Sequence, residues 1–299
     1  MAQGAILEQC TRHANKLEMK LDPSLLKAFR GILRDRSADP ALLAEAMILP
    51  AEDYLADQMD VVDVDGIHIA RRFIKKGLAS ELETLFAERY TELSDGLPYS
   101  KSSGAMARRA LKNVCLSYLL ETQAGESLAT SQLDSSDNMT DTLSAIQGLV
   151  LMDSPMAASA LSEFEDKWSE DALVMDKWFS MQAVQPGSDT VNKVKALMHH
   201  PAFSMKNPNK VRSLIGVFAV LNPTGFHAAD GSAYQFHADR VIELDALNPQ
   251  IAARMASAFN RWKRYDEGRK ALMKSQLQRI AAVENLSSDV SEIVNNALR

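Results

Sequence analysis

Five times in this chain a residue whose side chain can cap a helix stands directly before a proline: Asp22-Pro23, Asp39-Pro40, Ser154-Pro155, Asn207-Pro208 and Asn248-Pro249. The cap oxygen accepts from an early backbone N–H, and proline at the first helical position removes no donor that the helix needs. Apolar residues at helical spacing follow these starts. Leu25, Leu26, Phe29, Ile32 and Leu33 form one face, and Leu161, Phe164 and Trp168 form a second. A third is formed by Val211, Leu214, Ile215, Phe218 and Leu221. Ser80-x-x-Glu83 reads as a capping box. Convincing period-2 alternation is absent. VVDVDGIHI, residues 61–69, alternates only briefly between helical patterns and is read as a loop.

Composition agrees. Aromatic residues are 6% of the chain and Gly plus Pro number 23, too few for a turn-rich β-sandwich, while Leu, Ala, Met, Lys and Glu favour helix. The expected class is all-α with no significant sheet. The expected architecture is a right-handed superhelix of stacked antiparallel helical hairpins, as in armadillo and HEAT arrays with irregular repeats. A compact helical bundle is the alternative. No low-complexity linker divides the 299 residues, so residues 1–299 are expected to form a single helical domain. The polar stretch 127–141 is read as a helix–helix connection.

The two cysteines, Cys10 and Cys115, exclude a disulfide framework and point to a reducing compartment. The N-terminus has no basic start followed by an apolar stretch, so either there is no signal peptide or the chain begins within a longer protein. The longest apolar run, LIGVFAVL at 214–221, is far short of the roughly 20 residues a membrane span needs. A cytoplasmic protein with no membrane partner is expected.

Charge is unevenly placed. Residues 1–170 carry 27 acids and 17 bases, and residues 171–299 carry 12 acids and 16 bases, so the net −6 hides a balance of −10 followed by +4. No acid occurs between 190 and 229, where Lys193, Lys195, Lys206, Lys210 and Arg212 lie. None occurs between 246 and 265, where Arg254, Arg261, Lys263 and Arg264 lie. These stretches are either a solvated surface or a basic wall facing an anion. The net negative charge and the lack of interleaved aromatic residues argue against nucleic acid.

Residues 222–241, NPTGFHAADGSAYQFHADRV, hold His227 and His237 with Asp230 and Asp239. The ten-residue spacing matches no standard zinc pattern, and His-Glu-x-x-His occurs nowhere. His199 and His200 are adjacent and followed by Pro201, which suits surface or capping roles. There is no Cys-x-x-Cys, Gly-rich phosphate loop or Gly-x-Ser-x-Gly elbow. Cys115, within LKNVCLSYLL, reads as core. Residues 222–241 therefore read as a structured connection: Asn222-Pro223 stops one helix, and Asp230-Gly231-Ser232 turns into the next.

Five blocks carry a resemblance: DNMTDTLSAI (137–146), DKWSEDALVMDKWF (166–179), NPNKVRSLIGVFA (207–219), NPTGFHAADGSAY (222–234) and RWKRYDEGRKALM (261–273). Together, and in this order, they resemble the C-terminal domain of bacterial aminopeptidase N, a gluzincin-type zinc exopeptidase of the alanyl aminopeptidase family. The resemblance implies an all-helical superhelix that closes over a catalytic domain and walls an internal chamber. It places the zinc ligands, the general base and the Gly-Ala-Met-Glu-Asn motif for the substrate's amine upstream, outside this chain. Gly104-Ala105-Met106-Ala107-Arg108 lacks the glutamate of that motif and is coincidental. Arg212, in NKVRSLIG, and Arg254, in NPQIAARM, match arginines that face the family's chamber, and an arginine fork suits a peptide's terminal carboxylate.

The implied function is the helical lid of a zinc aminopeptidase that removes N-terminal residues from peptides. On this reading the chain has no catalytic or metal-ligating residue of its own, and zinc is a cofactor of the parent enzyme only. Its partners are the upstream catalytic domain and short peptides. The rival from another class is a stand-alone helical-repeat scaffold for protein partners. A third, a hydrolase with its own site, has only His227, Asp230 and His237 to draw on.

Overall fold

The proline-led starts build the molecule. Asp22, Asp39, Asn207 and Asn248 each accept a backbone N–H two or three residues on, at the heads of helices Pro23–Arg34, Pro40–Met47, Pro208–Val211 and Pro249–Ala256. Each such cap is worth about 1 kcal/mol. Ser154 works differently: its hydroxyl accepts from Met156 N at 3.0 Å, and the helix opens two residues past the proline, at Ala157–Trp168. The computed structural model describes residues 1–94 and 96–299. It is 71% helical and contains no strand among those residues, so the all-α class holds. None of its helices is long and apolar enough to cross a membrane.

The chain divides into two compact units, one of Met1–Ala56 with Asp65–Leu161, the other of Asp57–Val64 with Ser162–Arg299. In the first, helical hairpins pack around Tyr118. Phe86 stacks on its ring at 4.6 Å, Phe29 meets it edge-on at 5.7 Å, and its hydroxyl donates to the Met47 carbonyl at 2.7 Å. One side chain thus ties together Pro23–Arg34, Pro40–Met47, Glu83–Leu93 and Ser103–Leu119. Burying each such ring stabilises by about 1.5–3 kcal/mol. Beside this core lies a closed polar network around Asp141. Its carboxylate accepts from Lys112 Nζ at 2.7 Å, Asn113 Nδ2 at 2.9 Å and Asn138 Nδ2 at 3.0 Å. Gln132 completes the network by donating to Asn113 Oδ1 and accepting from the Tyr90 hydroxyl.

The second unit centres on Phe226, whose ring is met edge-on by Phe218, Tyr234 and His237 and lies 6.2 Å from Phe259. Its eight-residue segment Asp57–Val64 is drawn from the N-terminal half of the chain. There Val62 forms an isolated parallel bridge with Tyr265 and donates to the Arg264 carbonyl at 2.7 Å. Asp57 takes the guanidinium groups of both Arg261 and Arg264, and Arg264 also donates to the Met59 carbonyl.

Four expectations from the sequence need correction. Residues 61–69 are a loop only as far as Asp63: Val64 opens the 18-residue helix Val64–Glu81, because the apparent alternation is the first turn of that helix. Ser80 is no cap. It lies inside Val64–Glu81, and the chain turns at Leu82, whose own N–H and C=O stay in i, i+4 bonds with Leu78 and Phe86. Residues 127–141 are mostly helix, Gly125–Ser135 and then the first turn of Met139–Leu151, their polar side chains serving the Asp141 network. Leu221 does not join the apolar face of its helix. It is exposed, whereas Val211, Leu214, Ile215 and Phe218 are fully buried.

Candidate functional site

Residues 222–241 fold as the sequence suggests. Asn222 ends the helix Val217–Leu221 and caps the short turn Pro223–Phe226 through Gly225 N. It also donates to the carbonyls of Ala183 at 3.0 Å and Gln185 at 2.6 Å, which pins this connection to the end of helix Ala172–Ala183. Gly231, at φ +70°, makes the left-handed turn before Ser232–Asp245, where a β-carbon would also press on Leu272.

The histidines are built into the core. His227 Nδ1 lies 2.7 Å from the Tyr234 hydroxyl and Nε2 lies 3.0 Å from that of Tyr265. Burial, with the neighbouring Arg269 guanidinium adding to it and Asp266 opposing, pulls its pKa down to about 3. His237 donates from Nε2 to the Met255 carbonyl at 2.8 Å and packs edge-on against Phe226 and Phe259. Burial brings its pKa down to about 4. Both rings are therefore neutral at pH 7, with the coordinating nitrogens of His227 already engaged. Asp230 faces outward and accepts from Ser232 N and Oγ. The three candidates of the self-contained hydrolase do not converge, and no group of three His, Cys, Asp or Glu side chains able to hold a metal exists among the described residues.

His200 caps a turn, accepting from Ala202 N on Nδ1 and meeting Glu165 Oε1 at 2.6 Å on Nε2, while its ring lies 5.0 Å from Trp178. His199 is exposed. Cys115 has no exposed surface, and burial raises its thiol pKa to about 12. At neutral pH it is a protonated core side chain, far from a nucleophilic thiolate.

Arg212 and Arg254 sit in the second unit on neighbouring elements. Arg212 opens a π-helical stretch, Arg212–Gly216, inserted between the α-helical Pro208–Val211 and Val217–Leu221. Arg254 is in the last turn of Pro249–Ala256. The two elements touch at Gly216, where a β-carbon would stand 3.4 Å from the terminal methyl of Met255. Both arginines are exposed, and neither has a hydrogen bond or ion pair among the described residues. Lys210, two residues before Arg212, is by contrast consumed by the fold. It is 4% exposed and spans the Ala172 carbonyl and Asp176 Oδ1 at 2.7 and 2.8 Å. Of the cations in the acid-free stretches, Lys210, Arg261 and Arg264 are thus structural, whereas Arg212 and Arg254 are available to an external anion. No residue pattern signals the π-helical stretch. Tyr265 and Arg269, which fix His227 from 38 and 42 residues away, carry no local signal either.

Comparison with known proteins places this geometry. All of residues 1–299 match the family model DUF3458_C, described as a domain of unknown function with ARM repeats. The chain is 37% identical over 289 residues to aminopeptidase N of Escherichia coli, covering 96% of this chain and 33% of that protein. It is 38% identical over 283 residues to aminopeptidase N of Haemophilus influenzae, covering 94% of this chain and 32% of that protein. The alignment falls on the C-terminal part of aminopeptidase N. Among solved structures, aminopeptidase A of Legionella pneumophila in complex with aspartic acid matches with a TM-score of 0.90 and 31% identity, over 99% of this chain and 36% of that one. The chain therefore spans about a third of the length of the relatives it matches.

Proposed function

The chain belongs to the DUF3458_C ARM-repeat family, and from this we propose that residues 1–299 act as the C-terminal helical lid of a cytoplasmic zinc aminopeptidase that removes N-terminal residues from peptides. The lid covers the active site and walls the substrate channel, and it has no catalytic activity alone. The supporting observation is the availability of Arg212 and Arg254. They are exposed and unpaired, lie on touching elements, and come from two stretches without a single acid. An unpaired guanidinium is a ready donor for a carboxylate, and such charge-assisted bonds fix geometry as well as adding affinity. A short peptide whose amino end lies at the catalytic centre would then be held at its other end, which restricts its position and selects by length.

On this reading the implied zinc is held outside residues 1–299; among the described residues no group of three His, Cys, Asp or Glu side chains could hold a metal ion. Its ligands belong to the remainder of the polypeptide, and the part played by this chain is to bind, orient and enclose. The test is hydrolysis of an aminoacyl-p-nitroanilide by the purified chain, with and without zinc, then after mixing with the separately produced remainder. No turnover alone, with turnover or altered peptide-length preference on mixing, is the expected result. Zinc-dependent turnover by the chain alone would overturn the proposal.

A further inference from the structure

The pattern Arg-Arg-x-x-Lys occurs twice, at Arg71-Arg72-x-x-Lys75 in helix Val64–Glu81 and at Arg108-Arg109-x-x-Lys112 in helix Ser103–Leu119. Each residue of an α-helix turns about 100°, so each lysine projects between its two arginines, one turn further along. The fold treats the two lysines differently. Lys112 is locked, its Nζ 2.7 Å from Asp141 Oδ2 inside the polar network of the first unit. Arg109 beside it is spent as well, donating to the Ser100 carbonyl at 2.9 Å and lying over the Tyr99 ring. Lys75 meets Glu121, just past the end of helix Ser103–Leu119, at 3.4 Å. That is longer than the roughly 2.7–2.9 Å of a strong charged hydrogen bond. Its Nζ lies 6.0 Å over the Tyr118 ring, at the edge of the aromatic core, yet 24% of the side chain still reaches solvent, against 13% for Lys112.

Burial lowers the pKa of Lys75. Glu121 opposes this, and Arg71 and Arg72 add to the lowering. A larger share of this amine is therefore neutral and nucleophilic than on an open lysine. The same two guanidinium groups are phosphate donors: Arg72 is exposed, and Arg71 is half-buried, with its Nε on the Pro50 carbonyl at 2.9 Å. We propose that Lys75 is a site of covalent acylation by small acyl phosphates, with Arg71 and Arg72 holding the phosphate group and Glu121 taking the proton. The neutral Nζ attacks the acyl carbon, so that an N–C bond forms and the bond from that carbon to the phosphate oxygen breaks. Inorganic phosphate leaves with the electron pair of the broken bond. The proton shed by the nitrogen passes to Glu121 Oε1 and then to water. The product is an amide that no longer balances the Glu121 carboxylate.

The test treats the full-length polypeptide that carries this chain with acetyl phosphate, and separately with the uncharged N-hydroxysuccinimidyl acetate. Acetylation rates at Lys75, Lys76 and Lys112 are read by peptide mass spectrometry. Lys76, exposed and next in sequence, is the internal standard. Acetyl phosphate is expected to modify Lys75 at least about fivefold faster than Lys76, and Lys112 slowest of the three, because anion capture raises the local reagent concentration. The uncharged ester should lose most of that preference. Arg72→Gln is expected to lower the ratio of the acetyl phosphate rate to the ester rate at Lys75 by about fivefold; taking the ratio cancels any change in the amine itself. Should that variant fail to fold, inorganic phosphate added to the unaltered protein at constant ionic strength is expected to slow acetyl phosphate at Lys75 and leave the ester rate unmoved. Lys75 reacting no faster than Lys76 with acetyl phosphate would overturn the site. The same preference for Lys75 with both reagents, insensitive to Arg72→Gln and to phosphate, would overturn the role of the arginines.

Discussion

The imidazole of His227 is held between two phenols, its Nδ1 2.7 Å from the hydroxyl of Tyr234 and its Nε2 3.0 Å from that of Tyr265. A neutral imidazole has one donor and one acceptor nitrogen, so one tyrosine donates and the other accepts. Tyr265 also stacks on the ring, with centroids 4.3 Å apart. Tyr265→Phe keeps that stacking and removes only the hydroxyl, leaving a buried nitrogen without a partner. The expected cost is about 1–3 kcal/mol. Tyr234→Phe should cost a similar amount at the other nitrogen. Urea unfolding followed by tryptophan fluorescence would measure both, because Trp168, Trp178 and Trp262 all lie in the second unit. A midpoint unchanged in both variants would show that the two bonds contribute nothing.

The same burial makes the second unit acid-sensitive. In the folded chain His227 titrates at about 3 and His237 at about 4, both below the ordinary 6.5, because burial penalises the charged ring. As the pH falls below about 6.5, the unfolded chain takes up protons that the folded chain refuses. Stability therefore rises with pH in this window and falls as the solution is acidified. The loss is about 1.4 kcal/mol per pH unit for each histidine, ending near pH 4 for His237 and pH 3 for His227. Asp266 adds to it at the acid end: partial burial pushes its pKa up, but bonds from Arg269 pull it below the usual carboxylate value. The urea midpoint should be flat above pH 7.5 and drop steeply between pH 6.5 and 4. A flat profile through pH 5 would contradict the buried, neutral state of these rings.

These contacts mark where reading the sequence stops being enough. Asp22, Asp39, Asn207 and Asn248 were legible because a cap reaches only two or three residues along the chain. Ser80-x-x-Glu83 has the same local form and fails, because Val64–Glu81 is still helical where a cap would have to begin. The availability of Arg212 and Arg254 was half visible, as a lack of nearby acids. That their two elements touch, Gly216 against Met255 39 positions later, is encoded by no local pattern. Asp57 is a similar case. Acid-free residues 246–265 look unneutralised in sequence, yet an acid some two hundred residues earlier folds onto Arg261 and Arg264.

That return of Asp57–Val64 to the second unit makes a prediction about dissection. A fragment of residues 162–299 lacks the segment that covers Arg264 and Tyr265 and occupies the backbone carbonyl of Arg264. It should unfold at lower urea than the same unit in the whole chain, and a peptide of residues 57–64 added in excess should shift its midpoint back. Within the whole chain Val62→Ala, at a position 5% exposed, should cost about 1–2 kcal/mol. Asp57→Ala should cost less than about 1 kcal/mol, because its ion pairs are half-exposed and screened. If Asp57 proved the more costly of the two, the segment would be held by charge and not by burial.

Three glycines in the first unit separate packing from backbone propensity. Gly31 lies inside helix Pro23–Arg34 with nothing within 4 Å of where a β-carbon would stand, so Gly31→Ala should stabilise by up to about 1 kcal/mol. At Gly148 the new carbon would fall 2.2 Å from Leu120 Cδ1, the tip of a side chain that can rotate away at some loss of packing. Gly148→Ala should cost about 1–3 kcal/mol. At Gly125 it would fall 2.3 Å from both the Leu119 carbonyl oxygen and Leu120 Cα, and backbone atoms cannot move aside without unseating the end of helix Ser103–Leu119. Gly125→Ala should therefore be the most damaging, at about 3 kcal/mol or more. Thermal unfolding followed by circular dichroism would rank the three. A Gly125→Ala protein as stable as Gly148→Ala would mean that the turn between Ser103–Leu119 and Gly125–Ser135 is softer than its contacts imply, and that the Asp141 network beyond it does not depend on that turn being tight.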